Sequence, residues 1–296
     1  MKIKTQKISS SILHSKGIDL YIKRLDLNHK FISGNKWFKL KYNIKAAKDL
    51  KKDTILTFGG TYSNHIVAAS CAAKENGLKS IGIIRGDQVY PLNSSLRLAV
   101  NYGMKLKFIN RSAYKLKEND DFVLALIKEF GDFHLIPEGG TNELGVKGSM
   151  EILNSEDSQD YICTPVGTGG TISGIINSSN ISQQILGFKC IKGEGSLYYD
   201  IESFINKKNW TLINHYLFGG YAKKNTELIE FIYSFYNEHN IPLDIIYTAK
   251  MMYGIFDLVE KDYFKKHSSI LAIHTGGLQG NNGMNERFNL NLPVQS

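Results

Sequence analysis

The chain has 296 residues, 42% hydrophobic and 22% charged, with a formal net charge of +8. This length exceeds the usual single-domain size of roughly 100–150 residues and predicts two domains with sizeable cores; no run of about 18 apolar residues occurs, which excludes a membrane-spanning helix. The positive balance would suit nucleic acid, but Lys51-Lys52, Lys207-Lys208, Lys223-Lys224 and Lys265-Lys266 lie in separate segments, so a solvated surface is the reading and no nucleic-acid partner is expected.

From the N-terminus, Met1–Leu20 starts positive but has no continuous apolar stretch, so no signal peptide is expected. Ser33-Gly34-Asn35 is a turn signal, and the pattern after it predicts a helix from Asn35 to about Asp49. A 3.6-residue period places Trp37, Leu40, Ile44 and Ala47 on one stripe, with Lys36 at its edge and Lys41, Lys45 and Lys48 on another face. A lysine beside apolar surface has a lowered pKa and becomes a usable nucleophile. A lysine that extends to water is the alternative, and helical geometry alone favours it.

TILTFGG (Thr54–Gly60) reads as a buried strand ending in Gly-Gly. Ser63 then caps a helix over SNHIVAASCAAKEN, and further helices are expected in LNSSLRLAVNY and DDFVLALIKEF. The same strand-then-Gly-Gly pattern returns in FHLIPEGG (Phe133–Gly140), YICTPVGTGG (Tyr161–Gly170), LINHYLFGG (Leu212–Gly220) and ILAIHTGG (Ile270–Gly277). Strand–helix alternation predicts an α/β fold with parallel sheets. Ligands bind beyond the carboxyl ends of such strands, and glycine there lets the backbone come close to them. One Gly-Gly pair is a tight turn; five in the same topological place point to one binding crevice.

Two domains are expected, each a mostly parallel twisted sheet with helices on both faces. Residues 50–149 form the smaller, and residues 1–49 with 150–296 the larger, the polar stretch NSEDSQD marking the connection. GTGGT (Gly167–Thr171) follows a strand and opens the helix-like ISGIINSS. Strand, glycine loop and helix N-terminus hold a phosphate through backbone N–H groups. No Gly-Lys-Ser/Thr follows, so this is not a P-loop. Ser63 and Asn64, at a helix start beside the crevice, suit a carboxylate or phenolate oxygen; His65 fits capping, packing or catalysis. Cys71, Cys163 and Cys190 are widely spaced with no metal-ligand spacing, so reduced thiols, a cytoplasmic setting and no metal are expected.

Taken in order, these segments resemble the fold type II pyridoxal-phosphate enzymes, specifically the group of 1-aminocyclopropane-1-carboxylate deaminase and D-cysteine desulfhydrase. GNKWFKL, GGTYSNH, PEGGTNELGVKG, VGTGGTISG, FGGYAKKN, LDIIYTAKMMYG and IHTGG are similar to that family's motifs across Asp19 to Gly277. The resemblance implies pyridoxal 5'-phosphate as cofactor and Lys36 as the lysine that forms the Schiff base and shuttles protons. It implies that Asn64 meets the cofactor's phenolic oxygen and that Gly167, Thr168, Gly169, Gly170 and Thr171 hold its phosphate. Thr275 would face the pyridine nitrogen, while Ser63, with Asn64 and His65, would meet the substrate. Tyr221 and Tyr247 would donate or accept protons. His65 follows the desulfhydrase pattern, and Thr248 stands where the deaminases carry glutamate.

The expected function is a pyridoxal-phosphate-dependent lyase or deaminase of a small amino acid, D-cysteine desulfhydrase-like. The alternatives are a 1-aminocyclopropane-1-carboxylate deaminase and a non-catalytic binder of the cofactor. A homodimer is the expected assembly.

Overall fold

The structure is a computed structural model and describes residues 3–88, 90–192, 197–220, 223 and 225–294. In chain order the strands are β1 (Thr5–Ile8), β2 (Asp19–Arg24), β3 (Thr54–Gly60), β4 (Lys79–Arg85), β5 (Met104–Ile109), β6 (His134–Ile136), β7 (Tyr161–Val166), β8 (Gln184–Lys189), β9 (Trp210–Ile213) and β10 (Ser269–His274). They form a six-stranded sheet, ordered β1-β2-β10-β7-β8-β9, and a four-stranded sheet, ordered β5-β4-β3-β6. Among the described residues only the β1–β2 pair is antiparallel.

Helices α1 (Ser11–Lys16), α2 (Asn35–Asp49), α3 (Asn64–Glu75), α4 (Ser94–Asn101), α5 (Arg111–Tyr114) and α6 (Asp120–Phe130) alternate with the early strands. They are followed by α7 (Glu143–Ser149), α8 (Gly170–Ser178), α9 (Leu197–Glu202), α10 (Thr226–His239), α11 (Thr248–Glu260) and α12 (Gln279–Phe288). Both sheets are covered on both faces. Along β10, Ile270 and Ala272 join a core with α10 and α11, while Leu271 and Ile273 face the opposite core with α8. In β3, Ile55 packs toward α3 and α4, and Leu56 and Phe58 pack toward α5 and α6. Burial on both faces is why these strands are continuous apolar runs rather than alternating ones.

Several expected boundaries coincide with the structure: α2, β3 and α6 have the ranges read from the sequence. Ser63 is the N-cap of α3, its Oγ accepting from Ile66 N at 3.4 Å. One expected strand differs. LINHYLFGG is a strand only as far as Ile213, and Phe218, Gly219 and Gly220 turn with positive φ instead. β9 is an edge strand paired only to β8, so beyond Ile213 no ladder holds the chain extended.

Helix α2 links the two sheets. Leu40, Ile44 and Ala47 are buried in the core above the four-stranded sheet, and Phe38 in a core of the six-stranded sheet. Its buried arc therefore exceeds the expected stripe. Glycine permits its close packing on α7, where a Cβ on Gly148 would fall 1.9 Å from Phe38 O.

Candidate active site

The carboxyl ends of β3, β4, β6, β7 and β10 converge on one crevice between the sheets, where ligands of parallel sheets bind. Lys36, Ser63, Asn64, His65, Gly167, Thr168, Gly169, Thr171, Tyr247 and Thr275 line it. Gly170 does not line the crevice; it sits behind the loop, where a Cβ would meet Lys39 Nζ at 2.8 Å. Tyr221 lies outside the described residues. Four of the five Gly-Gly strand ends contribute to the lining; Gly219-Gly220 does not.

The turn before Lys36 is held from both sides. Gly34 has φ +68°, and a Cβ there would fall 1.8 Å from Thr275 O. Asn28 accepts from Gly34 N at 3.0 Å and donates to Gly34 O at 3.1 Å, while Asn35 N donates to Thr275 O at 3.2 Å. Lys36 Nζ donates to Asn35 Oδ1 at 3.1 Å, and Asn35 Nδ2 donates to Thr171 Oγ1 at 2.8 Å. Burial lowers the Lys36 pKa to about 8, against the opposing charge of Asp244. Helical geometry alone favoured a solvated Lys36; in the structure it is half-buried and lines the crevice.

Lys39, one turn along α2, was missed in the sequence. It is buried, and its Nζ donates to Thr141 Oγ1 at 2.8 Å; Thr141 Oγ1 lies 2.5 Å from Thr168 Oγ1. Burial, reinforced by the charge of Lys36, pushes the Lys39 pKa well down. Its spacing of three residues from Lys36 was the available signal, since both then face one side of a helix.

Asp244 was also missed. It is buried and accepts from Ile246 N, Tyr247 N, Thr248 N and Thr248 Oγ1 at 2.8–3.2 Å, fixing Tyr247 at the start of α11. Burial raises its pKa despite those bonds. Tyr247 stands beside Gly167, where a Cβ would be 3.1 Å from its ring. Thr248 is buried behind this turn and does not line the crevice.

His65 is buried, with Nε2 2.7 Å from Thr57 Oγ1. Its Nδ1 and the Oδ1 of Asn64 have no hydrogen-bond partner among the described residues. A second cluster, His29, Cys71 and Glu75, brings ligand-type atoms within 4.8 Å. His29 Nδ1 accepts from Phe31 N and Ile32 N at 3.1 and 2.9 Å, so the ring proton is on Nε2, facing Glu75 at 3.1 Å. The Cys71 thiol also donates to Glu75, at 3.4 Å. This is a hydrogen-bond relay among donors and one acceptor, without a free lone pair on His29 for a metal.

The crevice chemistry is specific. Lys36 and Lys39 place two amines near the N-terminus of α8, whose dipole is also positive. Thr168 and Thr171 add hydroxyls. Such a concentration of donors favours an anion, and a phosphate fits. Lys36, with its lowered pKa, supplies an amine for a carbonyl. Asn64 lines the crevice, and its buried amide oxygen has no hydrogen-bond partner among the described residues, which suits a residue that meets a ligand. Fold and site thus define a fold type II pyridoxal-phosphate enzyme, and the residues present fit that cofactor.

The chain belongs to the pyridoxal-phosphate dependent enzyme family, whose model matches residues 3–182. A bifunctional D-cysteine desulfhydrase/1-aminocyclopropane-1-carboxylate deaminase, mitochondrial, of Arabidopsis thaliana is 29% identical over 295 residues, covering 89% of this chain and 73% of the relative. The D-cysteine desulfhydrase of Klebsiella pneumoniae is 24% identical, covering 88% of this chain and 87% of that one. A crystal structure of an ACC deaminase homologue superposes with a TM-score of 0.82 at 27% identity, covering 95% of this chain and 91% of that chain. Pyridoxal phosphate is therefore the cofactor of this enzyme.

Proposed function

We propose that the protein eliminates the β-substituent of a small amino acid in the manner of a D-cysteine desulfhydrase. D-cysteine and water would yield pyruvate, sulfide and ammonia. The carrying observation is the pairing of the half-buried Lys36, its amine pKa lowered to about 8, with the anion cradle of Lys39, Thr168 and Thr171.

Pyridoxal phosphate, when bound, supplies the electron sink that makes the Cα–H and Cβ–S bonds labile. Lys36 would hold the cofactor's carbonyl carbon and would move the proton at Cα. Gly167–Thr171 and Lys39 would hold the phosphate, Asn64 the phenolic oxygen, and Thr275 would face the pyridine nitrogen. Ser63, with Asn64 and His65, orients the substrate. Tyr247 and Tyr221 exchange protons at the substrate. The crevice walls are two domains, residues 50–149 and residues 1–49 with 150–296, in a cytoplasmic homodimer.

The name of the Arabidopsis relative favours a second reading, hydrolytic ring opening of 1-aminocyclopropane-1-carboxylate to 2-oxobutanoate and ammonia. One assay tests both. Purified enzyme with the cofactor is offered D- and L-cysteine, D- and L-serine and the cyclopropane amino acid, and keto acid, ammonia and sulfide are measured. Pyruvate with stoichiometric sulfide from D-cysteine supports the first reading, and 2-oxobutanoate supports the second. A protein that binds cofactor yet releases no keto acid from any of them overturns both.

A further inference from the structure

The crevice mouth carries cations that neither the cofactor nor the α-carboxylate of a substrate accounts for. Arg85 ends β4 and lines the crevice, but it is exposed rather than buried. Its guanidinium lies over the Tyr114 ring, 5.6 Å from the centroid, and Tyr114 is itself buried. This cation–π contact steadies the guanidinium while leaving it without an acidic partner.

No acidic side chain among the described residues forms an ion pair with Arg85. Glu138, the acid in the crevice lining, instead stands 3.6 Å from Lys117. Gly60 leaves the path between Arg85 and the crevice open: a Cβ there would meet nothing nearer than Arg85 Nη2, at 3.7 Å. Lys192, exposed on the loop after β8, adds a second cation to the lining.

We infer that Arg85 reads a second negative charge, so that the enzyme binds an amino acid with an anionic side chain more tightly than its neutral isostere. The inference rests on the proposed reading of the crevice as an amino-acid site. There the start of α3, with Ser63 and Asn64, would meet the α-carboxylate, and the Lys39 cradle would hold the cofactor phosphate. The positive charge that is left belongs to the rim. A planar guanidinium meets a carboxylate with two parallel hydrogen bonds, which a neutral isostere cannot match.

Holoenzyme is titrated with D-aspartate against D-asparagine and with D-glutamate against D-glutamine, binding being read from the visible absorbance of the cofactor. The acid of at least one pair binds about tenfold tighter than its amide, and this ratio shrinks as salt is raised. Arg85→Gln brings the ratio to about one with affinity for the amides unchanged, and Arg85→Lys keeps part of it. Equal binding of acid and amide by the wild type, or an unchanged ratio in Arg85→Gln, overturns the inference. Lys192→Gln serves as the comparison: a loss of the ratio there but not in Arg85→Gln overturns the assignment to Arg85. Because binding is read without turnover, a holoenzyme that shows the ratio but releases no keto acid refutes the elimination reading alone.

Discussion

His65 Nε2 lies 2.7 Å from Thr57 Oγ1, and Thr57 donates its single hydroxyl proton to Ile136 O at 2.7 Å. Thr57 can therefore only accept from His65. The ring proton is fixed on Nε2, and the bare Nδ1 is an acceptor held at the crevice. Burial, then the charges of Lys36 and Lys39, push the His65 pKa well below its ordinary value.

A neutral His65 follows, down to pH values well under its usual titration. In the unfolded chain it protonates near pH 6.5, whereas in the folded protein it does so only at lower pH. His65 thus costs no stability above that pH, and its contribution turns unfavourable as the pH falls below it. Nitrogen-15 NMR of the imidazole should show the Nε2–H form with no change between pH 8 and 6. Thr57→Val should lower stability by about 1–3 kcal/mol, since it strands Nε2–H and the Ile136 carbonyl. A His65 that titrates near pH 6.5 in the folded protein would refute the tautomer argument.

Lys36 gives a second pH dependence, in the opposite part of the scale. Its pKa of about 8 means that the neutral, nucleophilic amine rises with pH and levels off above that value. Near pH 7.5 the neutral fraction exceeds that of an ordinary lysine on the order of a hundredfold. Loading of apoenzyme with cofactor should follow that curve in stopped-flow absorbance, and Lys36→Ala should abolish covalent trapping by borohydride. The burial that lowers the pKa also destabilises the charged amine, so Lys36→Met apoenzyme should melt higher than wild type below pH 8. A loading rate that keeps climbing past pH 10 would show an unperturbed lysine.

The contrast between Lys36 and Lys39 shows what was legible in the sequence. Lys36 was distinguished by the Ser33-Gly34-Asn35 turn and by the motifs it belongs to, and the Gly-rich strand ends at Gly60, Gly139, Gly167 and Gly276 located the crevice. Such features are local, because positive φ and close backbone approach demand glycine wherever they occur. Lys39 and Asp244 are buried polar groups. Lys39 is held by a distant partner, Thr141, whereas Asp244 accepts from the turn just after it and is buried against the end of β10 near Gly277. Periodicity assigns such residues to a surface, and only tertiary packing shows them enclosed. The LINHYLFGG error has the same origin: strand propensity continued past Ile213, but β9 had no neighbour on its outer side to extend it.

Lys39 should contribute to cofactor affinity through the phosphate alone. Its Nζ reaches the Thr141–Thr168 pair at the mouth of GTGGT, away from the carbonyl chemistry of Lys36. Replacing it with Met removes one charge-assisted contact, about 1.5–3 kcal/mol, or roughly 10–150-fold in affinity. Titrations with pyridoxal phosphate and with unphosphorylated pyridoxal separate the causes. The Met variant should lose affinity for the first and keep its affinity for the second; equal losses for both would place Lys39 elsewhere than at the phosphate.

Gly34 carries the most demanding geometry in the site, and its replacement tests whether the turn delivers Lys36. Its φ of +68° is strained for any side chain, and a Cβ would fall 1.8 Å from Thr275 O and 2.6 Å from Gly276 N. These are backbone atoms at the end of β10, so they cannot swing aside as a flexible side chain would. Gly34→Ala must therefore separate α2 from β10 or break the Asn28 and Asn35 bonds that pin the turn. The cost should be at least about 3 kcal/mol, which for a chain of this size lowers the melting midpoint by roughly 6–12 °C. Gly77→Ala is the matched control, with a similar φ of +71° but nothing within 4 Å of the new Cβ. It carries the backbone strain without the collision, so it should cost about 1 kcal/mol and leave cofactor loading intact. If the two variants melt alike and load alike, the contact between Gly34 and Thr275 does not position Lys36.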